Sequence, residues 1–172
     1  MKPILFLSLF LCFAKLNALY TSPGLLFEKN GEWVGTDHLY RIPTQMTVNT
    51  EIIKSADLEL PINEEIINSW LLESLKGAKI ESPSGQMPDT PILQALVMIQ
   101  IIPNGYVAYM ELRLFEFVDI KRTTLDPSTR YQAITWENQI LIPFPASELE
   151  NQIKQNIESL ASTFITRYNL VN

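Results

Sequence analysis

One histidine, His38, limits the nucleophilic chemistry open to this chain of 172 residues. A serine, threonine or cysteine nucleophile needs a neighbouring base, most often histidine. Any such triad would have to be built on His38. Asp37 adjoins it in sequence, but adjacency fixes no geometry, and the surrounding residues carry no clear periodicity. His38 therefore reads as a surface histidine. Zinc sites draw on clusters of cysteine and histidine, and the only cysteine is Cys12. No Asp-x-Asp-x-Asp-Gly calcium loop occurs. The six glycines, Gly24, Gly31, Gly35, Gly77, Gly85 and Gly105, are too scattered to cradle a phosphate or a dinucleotide. No metal, cofactor or catalytic residue is expected.

Carboxylates offer the one remaining route, a pair working as acid and base as in glycoside hydrolases. Glu111, Glu116, Asp119 and Glu137 fall in strand-like segments. Each reads by default as a solvated outward residue. Glu64 and Glu65 read as first-turn helix charges. Aromatics cluster in the same region: Tyr106, Tyr109, Phe115, Phe117, Tyr131 and Trp136. Core packing explains most of them. Tyr109, Phe115 and Phe117 are the candidates for a partner surface, because aromatics are enriched at interface hot spots.

The elements that would position these residues can be read in order. Met1 to Ala18 has a basic start at Lys2, an apolar run from Ile4 to Ala14 broken by Ser8, and a small residue at its end. This is the order of a cleaved export signal. The run is about half of the ~20 residues a membrane-spanning helix needs. Cleavage after Ala18 would remove Cys12 and leave 11 basic against 19 acidic residues, a net charge of −8 in place of −6. Such a chain suits an oxidising compartment, and it is a poor match for nucleic acid or anionic lipid. Residues 19–44 form an arm or a hairpin, with Asn30-Gly31 as the turn.

A single domain is expected over 45–172. Residues 45–53 alternate as a strand with Met46, Val48, Thr50 and Ile52 on one side. Residues 64–76 have helical spacing, with Asn63 as the cap and Gly77 as the stop. A short strand follows at 79–81, then a proline-containing loop over 82–91. Residues 92–102 are apolar on both faces and suit a central strand. Pro103-Asn104-Gly105 turns them into a strand over 106–121. In that strand Phe115 and Phe117 fall on the side of Glu111 and Arg113. A bulge near Leu114 to Glu116 would reconcile the halves and is favoured; the second reading is that the far half exposes its aromatics. Residues 130–142 form another strand, with Ile134, Trp136, Ile140 and Ile142 on one side. A helix over 147–168 opens with the capping box Ser147–Glu150 and carries an apolar stripe from Leu149 to Tyr168.

The expected class is therefore α+β. A small, mostly antiparallel sheet of about four to five strands would pack beneath the helices 64–76 and 147–168 as a two-layer sandwich.

The C-terminal third carries a resemblance. Thr135-Trp136, a strand end, and a long helix finishing Phe164-x-x-x-Tyr168-x-x-Val171-Asn172 resemble uncharacterised small exported bacterial proteins with the same ending. In those proteins a glycine commonly follows the Thr-Trp strand, and Pro143 stands near that place here. The resemblance implies a periplasmic or secreted setting and brings no activity or site residues. In fold alone, two helices on a small sheet are also similar to outer-membrane assembly lipoproteins. The leading expectation is a non-enzymatic envelope protein that binds another envelope protein, without stable membrane insertion after signal cleavage. The alternatives are a carrier of a small apolar ligand and a carboxylate-based hydrolase.

Overall fold

The computed structural model describes residues 25–29, 32–36, 38–83, 89–119 and 131–172. Residues 1–18 with Cys12, expected as an export signal, the turn expected at Asn30-Gly31, and the Lys121-Arg122 and Asp126-Pro127-Ser128 segments lie outside them. The chain divides into two compact units, Met1–Tyr40 and Arg41–Asn172. In the first unit β1 (Leu25–Lys29) pairs antiparallel with β2 (Glu32–Thr36). Lys29 faces Glu32 in this ladder, so Asn30-Gly31 alone separates the strands.

The second unit runs β3 (Thr47–Lys54), α1 (Glu64–Gly77), β4 (Ile92–Ile102), β5 (Gly105–Val118), β6 (Tyr131–Phe144), a 3₁₀ turn over Ala146–Glu148, and α2 (Leu149–Val171). Its class is α+β: a four-stranded mixed sheet in the order β3-β4-β5-β6, with two helices. β3 and β4 are parallel, because the connection between them passes through α1 and returns the chain to the end where β3 began. The β4–β5 and β5–β6 pairs are antiparallel. The short strand expected at 79–81 is reduced to one bridge, Gln45 with Glu81. Lys79 takes a positive φ of 61° just beyond α1 and turns the chain before a ladder can form.

Local chemistry explains the helix ends. Asn63 caps α1 by accepting from Ile66 N–H at 2.9 Å. Gly77 is the last helical residue, and the left-handed residue is Lys79 instead. The Ser147–Glu150 box does not form: α2 begins at Leu149 with no side-chain cap bond. Extended Pro145 feeds the 3₁₀ turn, and its carbonyl accepts from Glu148 N–H at 3.0 Å, which moves the helix start past Ser147. At the β4–β5 hairpin, Pro103 cannot supply the positive φ of a type I′ turn. Gly105 carries it instead, with φ 145°.

The helices contact one face of the sheet. α1 lies against β3, and α2 against β5 and β6. Leu93, Ala95, Val97, Ala108, Met110, Leu112 and Leu114 are fully buried on that face. Ile67, Leu71 and Leu75 of α1, and Ile153, Ile157 and Phe164 of α2, are buried with them. Phe164 packs edge-on to Trp136, with ring centroids 5.1 Å apart, and stacks on Tyr168 at 6.1 Å. Thr50 is the polar exception, and its hydroxyl donates to Asn68 Oδ1 of α1 at 2.7 Å. The C-terminal turn of α2 fastens residues 41–42. Asn172 Oδ1 accepts from Arg41 N–H at 2.6 Å, and the Tyr168 hydroxyl donates to Ile42 O at 3.3 Å. Burial raises the Tyr168 phenol above its ordinary range.

A bulge sits where the sequence pattern slips, but its extra residue belongs to β6. Leu114 faces Trp136 and Phe115 faces Ile134, so Thr135 is left over. Its hydroxyl donates to Leu114 O at 3.4 Å. β5 therefore keeps its alternation, and Phe115 and Phe117 stay on the side of Glu111 and Arg113. Ile134 and Trp136 point to opposite faces, 44% and 6% exposed, rather than sharing one.

Candidate binding face

The second face of the sheet carries the alternate strand residues, which the helix-covered core does not use. Residues two apart on a strand share a face, and the cross-strand register sorts them into rows about 7 Å apart. One row is Ile53, Met98, Tyr109 and Leu141. The next is Glu51, Leu96, Glu111 and Gln139, followed by Asn49, Gln94, Arg113 and Glu137. The fourth is Thr47, Ile92, Phe115 and Ile134, with Phe117 one step beyond. The face is thus banded: apolar, polar over two rows, then apolar again.

The apolar rows are accessible. Ile53 is 44% exposed, Met98 42%, Leu141 68%, Ile134 44% and Phe117 42%. A shallow groove of about 420 Å³ runs along the first row, lined by Ile53, Met98, Val107, Tyr109 and Leu141 among others. A second groove of about 320 Å³ lies at the far end of β5, beside Pro43, Pro91 and Phe117.

The polar band is built around Glu111, which is 2% exposed. A buried carboxylate is costly unless paired and hydrogen-bonded. Arg113 supplies the pair, with Nη2 2.5 Å from Glu111 Oε2, and the Tyr109 hydroxyl donates to the same oxygen at 2.7 Å. All three sit on β5 at i, i+2 and i+4, which strand alternation brings onto one face. The Tyr109 hydroxyl also lies 2.5 Å from Gln139 Oε1 on β6. The Arg113 guanidinium holds the Glu111 carboxyl below its ordinary range; Tyr109 adds to this, and burial opposes it. Burial and the Glu111 charge push the Tyr109 phenol up, and Glu111 raises Arg113 further. Arg113 Nε is buried with no hydrogen-bond partner among the described residues. At the margins of the band Glu51 and Glu137 are exposed, and neither forms an ion pair among the described residues.

Tyr109, Phe115 and Phe117 all lie on this face but do not make one patch. Phe115 and Phe117 join Ile134, whereas Tyr109 is set apart by Glu111 and Arg113 and spends its hydroxyl on the network. Glu111 departs from the solvated role its sequence position suggests; the Tyr109-x-Glu111-x-Arg113 spacing was the available signal. Ile53, Met98, Leu141 and Ile134 come from three other strands and needed the register to be found. His38 is half-buried in the turn before Arg41. Among the described residues no group of three or more histidine, cysteine or acidic residues could hold a metal. No described helix is long and apolar enough to cross a membrane. The chain matches no family model and no curated protein.

Proposed function

We propose that this chain is a non-enzymatic binding module of the bacterial envelope, and that another protein docks on the helix-free face of its four-stranded sheet. One observation carries the reading: large apolar side chains of β3, β4 and β6, with Phe117 of β5 just beyond, stand exposed on either side of an internally paired polar network. An exposed apolar patch with a polar centre suits recognition better than folding. The helices and sheet, taken as the two layers of a sandwich, leave this face free of the core. The envelope setting is supported by the pattern of residues 1–18 and by the C-terminal resemblance.

The other readings are weaker on specific grounds. A carrier needs a cavity between sheet and helices, whereas the two grooves described above lie elsewhere. A carboxylate hydrolase needs one acid with a raised pKa and working space of ~5 Å or more between the carboxyls. Glu111, the buried acid of this face, is instead held below its ordinary range by Arg113.

A photoreactive phenylalanine analogue tests the docking face. Placed at Leu141, it should give one discrete, stoichiometric adduct in cells; placed at exposed Glu158 on α2, it should give none. Matching adducts at both positions, or none at either, would sink the reading. N-terminal sequencing of the mature product tests export, with Leu19 expected as the first residue.

A further inference from the structure

The accessible charge on the helix-free face is acidic. The polar band holds Glu51, Glu111, Arg113 and Glu137, two negative charges in excess. Its one cation, Arg113, is committed to Glu111. The remaining acids, Glu51 on β3 and Glu137 on β6, stand exposed at opposite margins of the sheet. The whole chain is acidic too, with a net charge of −6. A second acidic copy would meet repulsion across this band, as would an acidic partner.

We infer that the occupant of this face is a basic segment of another protein, with apolar residues at both ends and lysine or arginine between them. The inference rests on the docking role proposed above and adds the chemistry of the partner. The row through Ile53, Met98 and Leu141 receives one apolar end, and the row through Phe115 and Ile134 receives the other. Three row spacings separate them, about 20 Å. That distance is spanned by roughly six residues of extended chain or about thirteen of helix. Between the anchors the basic side chains meet Glu51 and Glu137. Because these acids are exposed, they act on encounter rate and specificity, and salt weakens them.

The test uses the full mature chain and three dye-labelled peptides of about 13 residues, the helical span above. The first has leucine pairs at both ends and lysines between; the second replaces the lysines by glutamates; the third replaces the leucines by serines. Fluorescence anisotropy should show the first peptide binding, and each of the others binding at least about tenfold more weakly. The E51Q/E137Q variant should weaken the first peptide about five- to tenfold and flatten its salt dependence. The M98S/L141S variant should weaken it as well, with circular dichroism confirming that both variants fold. Failure of the first peptide to bind, or equal binding of the glutamate peptide, overturns the inference. If E51Q/E137Q changes nothing while M98S/L141S weakens both leucine-ended peptides alike, the basic partner is wrong and the docking face survives. If neither variant moves the Kd, both fall. A dimer in sedimentation velocity that M98S/L141S dissolves would assign the face to a second copy and overturn the inference.

Discussion

On β4, Leu93, Ala95, Val97 and Ile99 point at the helices and are at most 4% exposed, while Met98 between them points away and is 42% exposed. On β5, Ala108, Met110, Leu112 and Leu114 are fully buried, and the alternate positions hold Tyr109, Glu111 and Arg113. The same strands thus present two unlike surfaces. The helix-covered face is apolar from Leu93 to Ile99 of β4 and from Ala108 to Leu114 of β5, and is closed by side-chain volume. The helix-free face keeps buried Glu111 paired from within, and leaves most of its large apolar residues open. Hydrophobic burial accounts for the first face. It does not account for Leu141 at 68% exposure, which is why the second face carries the functional reading.

Substitutions can break this contrast in a graded way. Phe164→Ala removes the ring that packs against Trp136 and Tyr168, and should cost about 3–5 kcal/mol in chemical denaturation. Gly105→Ala strikes the hairpin that both faces share. A Cβ there would lie 2.2 Å from Phe144 O, on a backbone with φ 145°, and the loss should be about 3 kcal/mol by the same measurement. Both variants should lower stability and peptide binding together.

Glu111→Ala should cost about 2 kcal/mol, because it strands Arg113, whose side chain keeps a quarter of its surface in water. The double variant E111L/R113M should recover most of that loss, since neither charge is then left alone. A full recovery by E111L alone would contradict the pairing. The pH dependence has a definite sign. Glu111 is lowered in the folded state, so the unfolded chain takes up its proton first as pH falls. Its stabilisation is present above the unfolded carboxyl range, near pH 4.5, and is lost as pH drops through the folded value. Denaturation midpoints of the native chain should therefore fall below about pH 4.5 more steeply than those of E111L/R113M. The smallest effect should come from Leu141→Ser: within about 0.5 kcal/mol on stability, yet a clear loss in peptide binding. A large stability loss there would make Leu141 a core residue and erase the distinction between the faces.

Much of this fold was legible in the sequence because it rests on local periodicity. The apolar spacing from Ile66 to Leu75 and from Leu149 to Tyr168 places both helices to within a few residues at their ends. The alternation of 45–53 and the Pro103-Asn104-Gly105 turn place β3 and the β4–β5 hairpin. What could not be read depends on register. Glu111 faces Gln139 across two strands, and Ile53 shares a row with Leu141 at the opposite edge of the sheet. No local pattern encodes those meetings. The α+β class was therefore accessible, while the banded face was visible only through Tyr109, Phe115 and Phe117. The capping box failed for a similar reason: Pro145 directs the chain into a 3₁₀ turn that competes with the local preference of Ser147.

The leftover residue Thr135 has a consequence for how this chain could change length. Counting along β6, Trp136 and Ile134 occupy positions that an unbroken pleat would send the same way, and one residue inserted between opposing partners keeps them apart. Deleting Thr135 would leave a regular ladder with every other side chain on its present face. Deleting any one residue between Glu137 and Leu141 would instead turn part of the strand inside out, carrying either Trp136 into water or Leu141 into the interior. Between Thr135 and Leu141, a residue can thus be lost at Thr135 without turning side chains over.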